Sequence, residues 1–191
     1  VLYFDDETNG GFWLISLAGL VTMLVAGLGG LLVPVLIRAV PEPDEPAADK
    51  EPYAAIAAMP GLAWRSAVAS ALFGLGIGLT TGLEWSLVWL APLVPVCVAL
   101  GLIDWRTRLL PRRIVVPTTL AAIVAVAAVG LLTDRTADLV RALLAMLAVR
   151  SFFWLLWAVR SAGMGFGDVR LAAIVGLVLG SLMEFVLIRR A

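Results

Sequence analysis

The sequence predicts an all-α fold, a polytopic membrane helix bundle of about six transmembrane helices. The first observation is composition: 62% of the 191 residues are hydrophobic, whereas soluble domains are usually about 45–50% apolar. The second is that these residues form six apolar segments long enough, or nearly so, to cross a hydrocarbon core, which takes about 17–25 residues. All six should be helices, because a segment in lipid must satisfy its backbone hydrogen bonds internally.

The six segments follow one another with short connections except at one place. They cover residues 12–37, 64–83, 86–103, 114–132, 139–159 and 169–188. The third contains Pro92 and Pro95, which predict a kink because proline removes a helical hydrogen bond. The one long hydrophilic stretch is 38–65, and its proline-rich, acidic core at 41–46 is typical of a flexible loop. We see no internal repeat and predict that residues 1–191 form a single membrane domain.

The basic residues predict the orientation of the chain in the membrane. One set falls in the connections after the first, third and fifth segments: Arg38, Lys50, Arg65, Arg106, Arg108, Arg112, Arg113, Arg160 and Arg170. The opposite side has Arg135 and Arg141. The last two arginines, Arg189 and Arg190, also fall on that side, which is contrary to the usual concentration of basic residues in the cytoplasm. Because basic residues concentrate on the cytoplasmic side, we expect 38–65 to be a cytoplasmic loop of a protein in the inner (cytoplasmic) membrane, with the N-terminus outside.

Several absences narrow the possible chemistry. The chain has no histidine, which excludes Ser-His-Asp and Cys-His catalysis and removes the usual zinc ligands. Cys97 is the single cysteine, so neither a disulfide nor a cysteine metal cluster can form within the chain. The 14 basic and 14 acidic residues give a formal net charge of zero, which implies no attraction to nucleic acid. We therefore expect no metal, no cofactor and no nucleic-acid partner.

Two aspartates lie at the ends of membrane segments. Asp168 follows a glycine-rich stretch at 163–167, in which the backbone can take positive φ and another chain can approach closely. Asp104 closes the third segment, and two further segments separate it from Asp168, so both aspartates return to the same side at the same depth. A carboxylate at the mouth of a membrane helix is costly and is by default a candidate for function.

Two such aspartates brought together could act as an aspartic peptidase. Both cannot ionise cheaply, so the pair shares a proton. The ionised partner can then deprotonate a water while the protonated partner polarises the scissile carbonyl. A structural interpretation stays open at this point, because Asp104 beside Arg106 and Asp168 beside Arg170 could also be interfacial ion pairs.

Two stretches resemble the catalytic motifs of the prepilin peptidases. The first reads Asp104-Trp105-Arg106-Thr107-Arg108-Leu109-Leu110-Pro111, followed by Pro117. The family has an Asp, a short basic stretch, Leu/Ile-Pro-Asn/Asp and a later Pro, so Arg112 departs from its usual Asn or Asp. The second stretch reads Gly163-Met164-Gly165-Phe166-Gly167-Asp168-Val169-Arg170-Leu171. It is similar to Gly-x-Gly-x-Gly-Asp-Val-Lys-Leu, with Arg170 in place of Lys.

The resemblance covers residues 96–180, which we predict to be the peptidase core. It implies a membrane aspartic endopeptidase that cleaves the basic leader of type IV prepilin or pseudopilin precursors at the cytoplasmic face of the bilayer. The residues that it implies are the catalytic pair Asp104 and Asp168 and the supporting or substrate-contacting Gly165, Gly167, Arg106, Pro111 and Arg170. The acidic stretch 42–51 could also contact the substrate. The oligomeric state stays open.

The sequence also departs from the family in its first cytoplasmic loop. In many members this loop carries two Cys-x-x-Cys pairs that bind zinc, but residues 38–65 contain no cysteine. Members of the family also N-methylate the new pilin terminus. We therefore expect a short form without the zinc site, and the methyltransferase activity is not carried over. Alternatives are a proton-coupled membrane carrier that uses the acids as a relay and an inactive pilus-assembly subunit. A presenilin-like peptidase would need a Pro-Ala-Leu motif, which the chain lacks.

Overall fold

The computed structural model describes the backbone of residues 6–42, 50–159 and 165–188, and the side chains of residues 13–42, 50–159 and 165–182. In these ranges the chain forms α-helices and no strand, which confirms the predicted fold class. The helices are α1 (Asp6–Gly30), α2 (Val33–Arg38), α3 (Tyr53–Ala57), α4 (Leu62–Thr81), α5 (Leu87–Thr107), α6 (Arg112–Leu132), α7 (Thr136–Val159) and α8 (Phe166–Ile188).

Five of these helices, α1, α4, α5, α6 and α7, are long and apolar enough to cross a membrane. The sixth predicted span falls on α8, which has 23 residues. Its side chains are described only up to Leu182, so the prediction that α8 crosses the membrane stays a prediction. Most of the predicted core of the flexible loop, from Pro43 onwards, lies outside the described residues.

The first predicted span, 12–37, is not one helix but two, α1 and α2, joined by a turn at Leu31 and Leu32. In this turn the amides of Leu31 and Leu32 bond to carbonyls three residues back, at 3.2 and 3.0 Å. Pro34 explains the break, because proline has no amide hydrogen and its ring clashes with the carbonyl four residues earlier. That carbonyl belongs to Gly30, a residue type that itself weakens a helix.

The chain divides into two compact units, described separately here. The first comprises Val1–Leu36 and Ala57–Ala99, and the second comprises Ile37–Ile56 and Leu100–Ala191. The prediction of a single membrane domain stays a prediction.

In the first unit, α1 and α4 pack through small residues. A Cβ on Gly30 would lie 2.6 Å from the Cα of Ala67, and a Cβ on Gly74 would lie 2.5 Å from the carbonyl oxygen of Thr22. The buried hydroxyl of Thr22 lies 2.7 Å from the carbonyl oxygen of Ala18 and 2.8 Å from that of Gly74. Small residues let two helix backbones approach closely, which is how helices associate where lipid replaces water.

In the second unit, α7 and α8 form an antiparallel pair of the same kind. A Cβ on Gly176 would lie 2.7 Å from the carbonyl oxygen of Ala145, and one on Gly180 would lie 2.7 Å from the Cα of Ala142. Near the start of α7, Arg141 donates a hydrogen bond to the carbonyl oxygen of Gly180 at 3.2 Å and forms a 2.7 Å salt bridge with Asp138. α6 contacts both helices. α7 and α8 therefore pack backbone against backbone at Gly176 and Gly180.

Candidate active site

Asp104 lies in the last turn of α5, and its side chain is exposed. The end of this helix is closed by hydrogen bonds. Arg108 donates its amide hydrogen to the carbonyl oxygen of Asp104 at 2.7 Å, and the buried Thr107 hydroxyl donates to the carbonyl oxygen of Ile103 at 2.8 Å. Arg108 has φ 52°, the left-handed conformation that commonly ends a helix but usually falls to glycine. This residue turns the chain away from α5 immediately after Asp104.

Pro111 is the first residue outside α6. Its φ of −66° and ψ of 118° are those of an extended residue, and its carbonyl oxygen accepts hydrogen bonds from Ile114 and Val115 at 3.0 and 3.1 Å. Proline is favoured where a helix begins, because the amide hydrogen that it lacks would have no helical partner there. The predicted motif residue Pro111 thus precedes α6 directly and ends the short connection that follows α5.

Asp168 lies in the first turn of α8 and is partly buried. Its amide donates to the carbonyl oxygen of Gly165 at 3.1 Å, so Gly165 forms the turn that leads into the helix. A Cβ on Gly165 would meet nothing nearer than the amide nitrogen of Gly167 at 3.9 Å and Oδ2 of Asp168 at 4.0 Å. Gly163 and Met164, the first residues of the predicted glycine-rich stretch, lie outside the described residues.

Gly167 is the residue through which the two motifs touch. A Cβ at this position would stand 2.9 Å from the Cβ of Leu110 and 3.3 Å from its Cδ1. Contacts between real Cβ atoms below 3.0 Å essentially do not occur, so only glycine fits without a shift of Leu110. Leu110, six residues after Asp104 in the first motif, therefore packs directly against Gly167, the residue that precedes Asp168 in the second.

The electrostatics of Asp168 reflect this approach. Burial and the negative charge of Asp104 raise the pKa of the Asp168 carboxyl above its ordinary value, while a hydrogen bond from the backbone of Gly165 lowers it. Asp168 stands one residue before the predicted sixth span, at the mouth of the helix. A carboxyl whose charged form is disfavoured by a second carboxylate is the arrangement in which one proton is shared by two acids.

The remaining predicted residues, Arg106 and Arg170, have other partners. Arg106 forms a salt bridge with Glu51, in which Nη1 lies 3.2 Å from both carboxylate oxygens. The guanidinium of Arg170 lies over the ring of Phe166, 4.9 Å from its centroid. The groups that shift the pKa of Asp168 are its own burial, Asp104 and the Gly165 backbone. The alternative in which Asp168 pairs with Arg170 therefore finds no support.

Sequence reasoning missed two residues of this region. Glu51 was recognised only as part of the acidic stretch 42–51, and its partner could not be named because Arg106 lies 55 residues away. Leu110 was noted as part of the first motif but was given no role. The signal that could have found it is the glycine at 167, since a required glycine implies that some side chain approaches closely.

Comparisons with known proteins give one match. A family model described as the type IV leader peptidase family matches residues 91–189, slightly more than half of the chain. No curated protein and no solved structure matches. The matched segment begins within α5 and includes both Asp104 and Asp168.

Proposed function

The chain belongs to the type IV leader peptidase family and has helices long and apolar enough to cross a membrane. We propose that it is an aspartic endopeptidase whose catalytic pair is Asp104 and Asp168. The observation that carries this proposal is the contact between Leu110 and Gly167, because it joins the two motifs that contain the acids. The pKa of Asp168 supports it, since burial and the negative charge of Asp104 both raise that pKa.

In this proposal the two acids take different roles. Asp168, whose pKa is raised by burial and by the charge of Asp104, donates a hydrogen bond to the carbonyl oxygen of the scissile peptide. Asp104, exposed at the end of α5, acts as the base and takes a proton from water as the water oxygen bonds to the carbonyl carbon. When the carbon–nitrogen bond breaks, Asp104 returns that proton to the leaving nitrogen. The products are a leader with a new carboxylate and a chain with a new amino terminus.

We further propose that the substrate is the leader of a type IV prepilin-like precursor and that the site faces the cytoplasm. The support for this side is the basic connection between α5 and α6, which carries Arg106, Arg108, Arg112 and Arg113. A site at the mouth of a membrane helix admits water and an extended leader. The apolar segment that follows the scissile bond can stay in the bilayer.

The other predicted residues act through position. Gly165 supplies the backbone that bonds to Asp168, Gly167 admits Leu110, and Pro111 begins α6. Arg106 connects the end of α5 to Glu51. These residues orient the pair, and we assign none of them to proton transfer.

The test is a cleavage assay in detergent with a precursor pilin, read by mass spectrometry, for the wild type, Asp104→Asn and Asp168→Asn. Asn keeps the shape of Asp but can neither take up nor give up a proton, so each variant should lose at least ~100-fold in cleavage rate, the lower end of what general acid–base catalysis contributes. Asp134→Asn is the matched control. Asp134 lies in the turn after α6 with φ 57°, and Asn adopts this conformation as readily as Asp.

The outcomes separate the alternatives. Loss of cleavage in both site variants with retention in Asp134→Asn supports the catalytic pair. Cleavage that survives either site substitution shows that Asp104 and Asp168 do not act together. A folded wild type that cleaves none of several precursors favours the carrier or the assembly subunit. The mass of the new N-terminus also shows whether a methyl group is added.

A further inference from the structure

Arg150 is an exposed arginine inside a candidate membrane span. It lies in α7, whose residues Thr136–Val159 are apolar enough to cross the bilayer, nine residues before the end of that helix. Among the described residues it has no hydrogen-bond or ion-pair partner. A charged side chain within a span is costly and usually marks a functional site, so the position of Arg150 calls for an anionic partner.

The packing of α7 against α8 fixes the level of Arg150. Gly180 lies against Ala142 and Ala145, and Gly176 lies against Ala145 and Val149. Because the helices are antiparallel, a step of four residues from Gly180 to Gly176 in α8 corresponds to a step of about four residues towards the end of α7. A further step of four residues in α8, from Gly176 to Ala172, therefore reaches the level of Arg150 in α7. Arg170 is therefore within about 3 Å of the same level, at 1.5 Å per residue.

Both arginines also lie on the same flank of the helix pair. Arg150 and Trp157 are seven residues apart in α7 and so share one face. The Trp157 ring lies 5.0 Å from the Phe166 ring, and the Arg170 guanidinium lies 4.9 Å from the same Phe166 ring. The line from Arg150 through Trp157 and Phe166 to Arg170 is the aromatic–arginine flank.

No described acid neutralises this flank. Glu51 is bonded to Arg106, and Asp138 is bonded to Arg141 at the far end of α7. Asp168 is two residues from Arg170 and hence about 200° around the axis of α8, so it faces away from the flank. Arg150 and Arg170 therefore place two positive charges on one flank of a membrane helix pair, and an anion bound between them would be attracted by both.

We propose that the aromatic–arginine flank binds the phosphate of an anionic membrane lipid. Arginine presents a planar set of donors that matches phosphate oxygens, so Arg150 and Arg170 can share one phosphate. Their long apolar stems let the charged ends reach the headgroup level while the stems stay in the apolar layer. Trp157 and Phe166 lie beside the phosphate, where aromatic rings favour the boundary between hydrocarbon and headgroups.

The surroundings of the flank select a lipid. Exposed apolar side chains of α7 continue from it towards the other end of the helix, among them Leu144 and Leu147. These offer a surface for an acyl chain, which a free phosphate does not need. Along the helix pair, Arg170 lies about 3 Å and Arg150 about 6 Å deeper than Asp168, so the stems of both arginines can reach the headgroup level.

The experiment measures lipid affinity of the full chain purified in detergent, from the rise in its thermal unfolding midpoint during titration with phosphatidylglycerol. We expect a rise that phosphatidylcholine does not produce at equal concentration. Arg150→Gln and Arg170→Gln should each weaken the affinity about fivefold, the ordinary contribution of one basic residue at an anionic surface. The lipid affinity of Arg150→Lys should lie between that of the wild type and that of Arg150→Gln, because lysine keeps the charge but lacks the planar set of donors.

Arg113→Gln is the matched control, since Arg113 is exposed near the start of α6 and its loss changes the net charge equally. Retention of affinity in this control supports a defined site. Unchanged affinity in both Arg150→Gln and Arg170→Gln overturns the proposal, and so does an equal loss in Arg113→Gln, which would indicate general surface charge. If inorganic phosphate alone gives the full rise in the midpoint, the ligand is not a lipid. The test reads binding alone, so it is independent of whether the chain cleaves a precursor.

Discussion

At the scale of single residues, the contact between Gly167 and Leu110 predicts a steric substitution effect. We expect Gly167→Ala to destabilise the protein by about 1–3 kcal/mol, the usual range for overpacking. It should also slow cleavage, because the added methyl group would stand 2.9 Å from the Cβ of Leu110 and separate the two motifs. Unfolding in detergent and the precursor cleavage assay measure the two effects.

Gly165→Ala is the matched control for stability. Its added methyl group meets no heavy atom closer than 3.9 Å, so the unfolding midpoint should stay near that of the wild type. Leu110→Gly introduced into Gly167→Ala should restore part of the cleavage rate, because it removes the Cβ of Leu110 that the added methyl group would meet. If Gly167→Ala is as stable and active as the wild type, the contact does not hold the two motifs together.

Asp168 predicts a dependence of stability on pH. Its pKa in the folded protein is raised above the ordinary value of 3.8. The stability linked to its protonated form is therefore fully present below that value and is lost as the pH rises through the folded-state pKa. Asp168→Asn cannot ionise, so it should unfold at a higher temperature than the wild type at neutral pH. This advantage should shrink as the pH falls towards about 4.

Asp104→Asn is the comparison for this experiment. It removes the neighbouring negative charge that helps raise the pKa of Asp168, so the stability of that variant should depend less on pH than the stability of the wild type. A variant Asp168→Asn that is less stable than the wild type at neutral pH, with the difference vanishing in acid, would mean that the pKa of Asp168 is lowered by folding.

Individual residues differ in how far the sequence could predict them. Asp104 and Asp168 could be put forward as candidates because acids are rare next to apolar spans and because the number of intervening spans predicts that they share a side. The partners of Arg106 and Gly167 could not be found, since each contact joins residues far apart in the chain. The pairing of Arg106 with Glu51 depends on how the hydrophilic stretch 38–65 lies relative to the end of α5. Local sequence patterns carry no information about that arrangement.

At the scale of helices, the close approach of α7 and α8 predicts that Gly176→Ala is destabilising. Its Cβ would lie 2.7 Å from the carbonyl oxygen of Ala145 and 2.8 Å from the Cα of Met146, backbone atoms that cannot turn aside. The two helices must then separate, at a cost of about 1–3 kcal/mol. Denaturant unfolding in mixed micelles measures this difference.

Gly76→Ala in α4 is the control, because a Cβ at Gly76 meets nothing within 4 Å. Alanine favours a helix by up to about 1 kcal/mol over glycine, so this variant should be as stable as the wild type or more stable. Equal effects of Gly176→Ala and Gly76→Ala would show that helix propensity decides the outcome and that packing of α7 on α8 does not.

The boundaries of the helices were predicted to within a few residues where an apolar run ends at charges, as for α6 and α7. The prediction failed at the first span, because the apolar run continues through Leu31 and Leu32 although the helix does not. Hydrophobicity measures solvent preference, whereas the break arises from the missing amide hydrogen of Pro34. The sequence analysis also did not predict α3, because a helix of five residues is too short to show a helical periodicity of apolar residues.

At the scale of the whole molecule, composition and segment length were sufficient to predict an all-α membrane protein, because both follow from the thickness of the hydrocarbon layer. The grouping of the helices into two compact units could not be predicted in this way. All the spans are similarly apolar, so their pairing depends on where small residues such as Gly74 and Gly176 let backbones meet. Those contacts become visible only when both helices of a pair are known.

The position of Trp105, next to Asp104, has a consequence for where a substrate is cut. Its side chain is 84% exposed at the end of a candidate span, and tryptophan prefers the boundary between hydrocarbon and headgroups. Trp105 therefore fixes the depth of Asp104 relative to the bilayer. A thicker or thinner hydrocarbon layer changes how a span tilts. If Asp104 and Asp168 are the catalytic pair that we propose, the hydrophobic thickness of the host membrane, and not the peptide sequence alone, would help to select the bond that is cut.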